Sequence, residues 1–228
     1  MGPLLHGRQP VKRLVAAAAA VASLMAAGAA HAQPTGQFGR GGNFDFYVLA
    51  LSWSPSFCAL EGREKGREQC DGPAKGFVLH GLWPQYERGF PSNCDHPFRN
   101  APNSVIQQIR GLYPEDGLAR HQWRKHGTCA GLPPAAYFAD VKRAVERVKI
   151  PDSFDEATEG GRVNPREIER KFIEANPGLR PGMIAATCVR GMLQEVRVCL
   201  SKDLRGFQAC PDVVRSGCRA QQVTAPTR

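Results

Sequence analysis

Nine consecutive residues, His121-Gln122-Trp123-Arg124-Lys125-His126-Gly127-Thr128-Cys129, gather the groups of this chain best suited to moving protons near neutral pH. On a helix advancing about 100° per residue, His121, Lys125, Gln122 and His126 fall at about 0°, 40°, 100° and 140°, with Trp123 and Arg124 at about 200° and 300°. Four polar groups therefore share one face. Gly127 offers a C-cap, so the spacing predicts a short helix whose last turn presents imidazoles beside an ammonium, with Trp123 turned to the core. The plain alternative is a solvated helix end.

A second segment, Phe77-Val78-Leu79-His80-Gly81-Leu82-Trp83-Pro84-Gln85, begins as an apolar run that His80 interrupts. A buried imidazole requires a hydrogen-bonding partner. Taken singly, His80 reads as a core histidine satisfied by a backbone carbonyl; the existence of the 121–126 cluster gives it a second group to face. Gly81 permits close approach of backbone or substrate.

Two histidines and a lysine, without a carboxylate cage for a hydrolytic metal, suit general acid–base chemistry on a phosphodiester. One imidazole removes a proton from the nucleophile, the other protonates the leaving oxygen, and Lys125 offsets charge on the non-bridging oxygens. With no metal-activated water or covalent nucleophile evident, the available nucleophile is the substrate's own 2′-hydroxyl. DNA lacks that group, so single-stranded RNA is the expected partner, with no cofactor and no metal.

Positioning these groups requires a mixed scaffold. Phe44 to Trp53 is aromatic and β-branched at its front and stops before Pro55, which suits a largely buried strand, and Gly76 to His80 reads as a second. Glu61 to Gly72 is a charged, glycine-punctuated loop that a Cys58–Cys70 bond would close, and Arg88 to Asn103 is a long loop. Helical spacing runs over Ser104 to Leu112 and over Pro134 to Val148. Asn164 before Pro165 is an N-cap signature for a helix to about Ala175. Met183 to Cys188 and Met192 to Leu200 return to strand character. The expected fold class is α+β, a single disulfide-stapled domain over residues 44–228.

The first 32 residues join a basic start (Arg8, Lys12, Arg13), an apolar stretch and Ala30-His31-Ala32, a small-x-small cleavage site. This reads as a secretory signal peptide. An uncleaved anchor is the alternative, but the stretch is mostly alanine and short against the roughly 20 strongly apolar residues of a span. The mature chain from Gln33 would open with a flexible stretch to Asn43, leave the membrane, and be a periplasmic or extracellular monomer. Its charge falls from the +9 of the whole chain to +6, since 27 of the 30 basic residues then face 21 acidic ones. That balance favours a polyanionic partner without specifying one. All eight cysteines, Cys58, Cys70, Cys94, Cys129, Cys188, Cys199, Cys210 and Cys218, follow the leader, and four disulfides are the natural reading of an exported chain.

The two motifs, Phe77 to Pro84 and His121 to Cys129, resemble in content and order the active-site motifs of the ribonuclease T2 family. The resemblance implies an antiparallel sheet flanked by helices and cleavage through a 2′,3′-cyclic phosphate to 3′-phosphate ends. It implies His126 as general base, His80 as general acid, Lys125 as transition-state stabiliser and His121 as a phosphate ligand. Trp83 falls where the family stacks a base, a core aromatic being the alternative, and Gln85 falls near the base site, where some members carry aspartate. Gln122 stands where most members have glutamate. The resemblance further implies the pairs Cys94–Cys129 and Cys188–Cys218, the latter nested around Cys199–Cys210. A secreted RNA-binding protein that keeps the fold without catalysis is the competing function, disfavoured because both histidines and the lysine are retained.

Overall fold

The computed structural model describes residues 41–65, 67–72, 75–154 and 161–227. The leader, and the expected flexible stretch up to residue 40, lie outside these residues. In chain order come β1 (Phe46–Trp53), α1 (Ser54–Phe57), β2 (Phe77–Gln85), α2 (Asn103–Gln108), α3 (Asp116–Lys125), α4 (Pro134–Arg147), β3 (Gly161–Val163), α5 (Pro165–Ala175), β4 (Ile184–Val189), β5 (Met192–Ser201), α6 (Pro211–Arg215) and β6 (Val223–Ala225). The six strands form one sheet in the order β2-β1-β5-β6-β3, with β4 on β5. Its ladders are antiparallel except the short β5–β6 contact. No helix among the described residues is long and apolar enough to cross a membrane.

The apolar run of β1 has a simple origin, since the strand is central and covered on both faces. Tyr47, Leu49, Leu51 and Trp53 join the main core under the helices, where Trp123, Tyr137, Phe138, Ile168 and Phe172 are buried. Phe46, Val48 and Ala50 point the other way, into a smaller cluster with Trp83, Ala185, Cys199, Cys210 and Val213. A strand buried on both sides loses alternation and reads as continuously apolar.

Three elements differ from the sequence expectation. β2 runs on to Gln85 through Pro84, which is tolerated because β2 is an edge strand and its missing N–H breaks no second ladder. α2 stops at Gln108 instead of reaching Leu112, because Gly111 adopts φ 86°, outside the helical region. Gly127 is not a left-handed C-cap: α3 ends on Lys125, His126 caps it through its N–H to Gln122 O at 2.9 Å, and a 3₁₀ turn spans Gly127–Ala130. The left-handed glycine is Gly131, at φ 73°. Gly127 is required for space, since a Cβ there would lie 2.5 Å from Trp123 Cε3 and 2.8 Å from Tyr137 Cε1.

The cysteines pair Cys58–Cys70, Cys94–Cys129, Cys188–Cys218 and Cys199–Cys210. The described end of the N-terminal stretch is held in place. Gly42 N–H donates to Cys129 O at 2.9 Å, and Lys202 Nζ donates to Gly42 O and Phe44 O.

Candidate active site

An irregularity in the β1–β2 ladder builds the site. Ala50 pairs with Gly81 and Leu51 with Leu79, so His80 is an extra, bulged residue without an opposite partner. A bulge shifts the alternation of the strand by one step. Leu79 and Leu82, three residues apart, therefore both reach the main core, while His80, Trp83 and Gln85 line a cavity on the other face. In a regular strand His80 and Trp83 would point apart; here their rings meet edge to face with centroids 5.2 Å apart.

α3 supplies the remaining groups. Trp123 anchors it, fully buried, with its indole N–H donating to Phe98 O at 3.0 Å. The loop residue Asn93 donates its N–H to Lys125 O at 2.8 Å, and the adjacent Cys94–Cys129 disulfide ties this loop to the turn after the helix. His121, Gln122, Lys125 and His126 all line the same cavity of about 320 Å³ as His80, Trp83 and Gln85. His121 is exposed, Lys125 half-buried, and Gln122 and His126 buried.

Trp83 lines the cavity among protein groups. It is buried, His126 stacks on it with centroids 5.0 Å apart and planes at 25°, and the Arg197 guanidinium lies over its ring at 5.3 Å. Its indole N–H donates to Gln122 Oε1 at 2.8 Å. Its π surface is thus engaged by protein groups, and the ring backs His126. The partly exposed aromatic in the cavity wall is Phe90. Gly81 does serve close approach, but of Gln122: a Cβ there would lie 2.3 Å from Gln122 Oε1 and 2.5 Å from Trp83 Nε1.

The electrostatics separate the imidazoles. Burial, followed by the positive charges of Lys125, His80, His121 and Arg197, holds the His126 pKa well below the ordinary 6.5. Its Nδ1 is buried without a hydrogen-bond partner among the described residues. His126 is therefore neutral at pH 7 and able to accept a proton. His121 is also lowered, first by desolvation and then by Lys125 and Arg124. The Nδ1 of His80 is hydrogen-bonded to the Glu195 carboxylate.

Glu195, Arg197 and Phe90 are site groups that the sequence reading did not single out. Phe90 sits in a polar loop and gives no local signal. Glu195 and Arg197 do give one: two opposite charges at i and i+2 place an ion pair on one face of a mostly apolar strand. Among the described residues no group of three or more His, Cys, Asp or Glu side chains is arranged to hold a metal ion.

The model of the ribonuclease T2 family matches residues 44–210. A ribonuclease of Aeromonas hydrophila is 35% identical over 176 residues, covering 76% of this chain and 80% of that one. A probable ribonuclease of Haemophilus influenzae is 32% identical over 121 residues, covering 47% of this chain and 44% of its own. Among solved structures, RNase NT in complex with 5′-AMP superposes with a TM-score of 0.58 at 26% identity, covering 81% of this chain and 98% of that one. An RNase-related protein from Calystegia sepium, at 19% identity, shares the fold with a TM-score of 0.62 over 80% and 97% of the two chains. Sheet, cavity and relatives together make this chain a ribonuclease. It belongs to the ribonuclease T2 family and is an endoribonuclease.

Proposed function

We propose that the chain cleaves single-stranded RNA by metal-independent transphosphorylation, with His126 as base and His80 as acid. The observation that carries this reading is the cavity in which both imidazoles flank one indole ring, with Lys125 and His121 on the same wall. His126 takes the proton of the 2′-hydroxyl, whose oxygen attacks phosphorus. The bond to the 5′-oxygen breaks, and His80 protonates that oxygen as it leaves. Lys125 offsets charge growing on the non-bridging oxygens, and His121 holds the phosphate. Water then opens the 2′,3′-cyclic phosphate, the imidazoles exchanging roles, to leave a 3′-phosphate.

Substrate recognition rests on Phe90 and Gln85 in the cavity wall, Phe90 offering a ring on which any base stacks. RNase NT binding 5′-AMP supports a nucleotide-sized site. The reading includes removal of the first 32 residues and action as a monomer in the periplasm or medium, supported by four disulfides that need an oxidising compartment.

The test is cleavage of single-stranded RNA in EDTA by the wild type and by His80→Ala and His126→Ala. Each substitution removes one proton transfer and is expected to lower kcat by about 10² to 10⁴ with the fold intact by circular dichroism. Near-normal activity in either variant, or wild-type activity restored only by added divalent metal, would overturn the mechanism.

A further inference from the structure

Glu195 lies two strands away from His80, with β1 between them, and the contact is made possible by what β1 places underneath. Ala50 stands between Gly81 and Arg197, and Ser52 stands opposite Glu195. Neighbouring strands are about 4.8 Å apart, so side chains from β2 and β5 meet across β1 only where β1 carries small residues. The bulge supplies the rest, turning His80 onto this face.

A carboxylate as buried as Glu195, 2% exposed, is stable only when paired. One oxygen takes the Nδ1 of His80. The other accepts from Arg197 Nε at 2.9 Å and Nη2 at 2.8 Å. Burial pushes the carboxyl up, but the hydrogen bond and charge of His80 and then Arg197 outweigh it and leave it below its ordinary value, so Glu195 is ionised. Arg197 in turn lies over Trp83, which backs His126.

Resting on the acid–base reading above, we infer that Glu195 is a positioning residue for the general acid: it holds the proton of His80 on Nδ1, aims Nε2 at the leaving oxygen, and stabilises the imidazolium that donates. Arg197 fixes the free side of the carboxylate and couples this arm to the Trp83–His126 arm. Other titratable and charged groups face the same region: His121 and Lys125 from α3, His126 at its cap, Asp212 from α6, and Glu61 and the Arg67–Glu115 pair from the neighbouring pocket wall. Glu195 is the carboxylate that touches the imidazole.

The test uses Glu195→Gln, which keeps the shape and removes the charge. On a dinucleotide substrate kcat is expected to fall at least about tenfold with KM little changed, because the neutral amide no longer faces the imidazolium that donates. Glu195→Asp should restore part of the rate. Independently of activity, nitrogen NMR of labelled imidazoles should place the proton of neutral His80 on Nδ1 in the wild type and on a mixture of nitrogens in Glu195→Ala. That spectrum decides the pairing even if the wild type proved inactive on RNA, in which case the acid–base reading fails and the pairing stands. A kcat in Glu195→Gln that is unchanged, or that falls only in step with thermal stability, would show a merely structural ion pair and overturn the inference. So would the same tautomer in wild type and Glu195→Ala.

Discussion

Gln122 illustrates how one side chain divides its two ends. The indole N–H of Trp83 only donates, so the oxygen of Gln122 turns to it, and the amide NH₂ is the group left to donate elsewhere. An amide donates at every pH. A glutamate in its place keeps the bond to Trp83 but donates to a phosphoryl oxygen only while protonated, and its anion repels the charge developing on phosphate. His126, held below 6.5, is already deprotonated as the solution becomes mildly acidic, so the base does not oppose activity there. Gln122→Glu is therefore expected to move the pH–rate profile toward acid, with the wild type working nearer neutrality. An unchanged profile with a higher maximum would show instead that a carboxylate at this position serves the base. At this scale the sequence was informative where groups are neighbours on one helix, as at 121, 122, 125 and 126. It was silent on the contact between His80 and Glu195, which are 115 residues apart and meet only after the sheet forms.

At the scale of elements, the bulge at His80 and the glycine beside it shape the site more than any helix does. The segment reads as a short strand because His80, Gly81 and Pro84 break its pattern, and the register shift that reconciles Leu79 with Leu82 is set by pairing to β1. No local rule reveals it. The helices were more legible: α5 starts at the Asn164 cap, whose side chain accepts from Arg166 N–H at 3.0 Å, and α4 follows its apolar spacing from Pro134. The close approach of β2 to α3 has a direct consequence. In Gly81→Ala the new methyl overlaps both Gln122 Oε1 and Trp83 Nε1, so their hydrogen bond must open. The substitution is expected to lower stability by about 1–3 kcal/mol and cleavage at least tenfold. Thermal unfolding of Gly81→Ala, Gln122→Ala and the double variant checks this, with losses less than additive; strict additivity would show that the two positions do not touch.

At the scale of the molecule, the disulfides and the sheet divide the work. Cys94–Cys129 closes a loop of 35 residues between the two motif-bearing segments, an effect of roughly 3–4 kcal/mol in the chain-entropy model, and it holds the loop that bonds to Lys125 O. The sheet is buried on both faces, so that one side carries the main core and the other the smaller cluster and the cavity. The central claim is attack by the substrate's own 2′-hydroxyl, one imidazole taking its proton while the other protonates the leaving 5′-oxygen, and the products report it directly. A defined diribonucleotide digested in EDTA should yield a 2′,3′-cyclic phosphate before any 3′-phosphate, together with a nucleoside bearing a free 5′-hydroxyl, and the analogue methylated on that 2′-oxygen should stay intact. Cleavage of the methylated or deoxy analogue, or products ending in a 5′-phosphate, would contradict it.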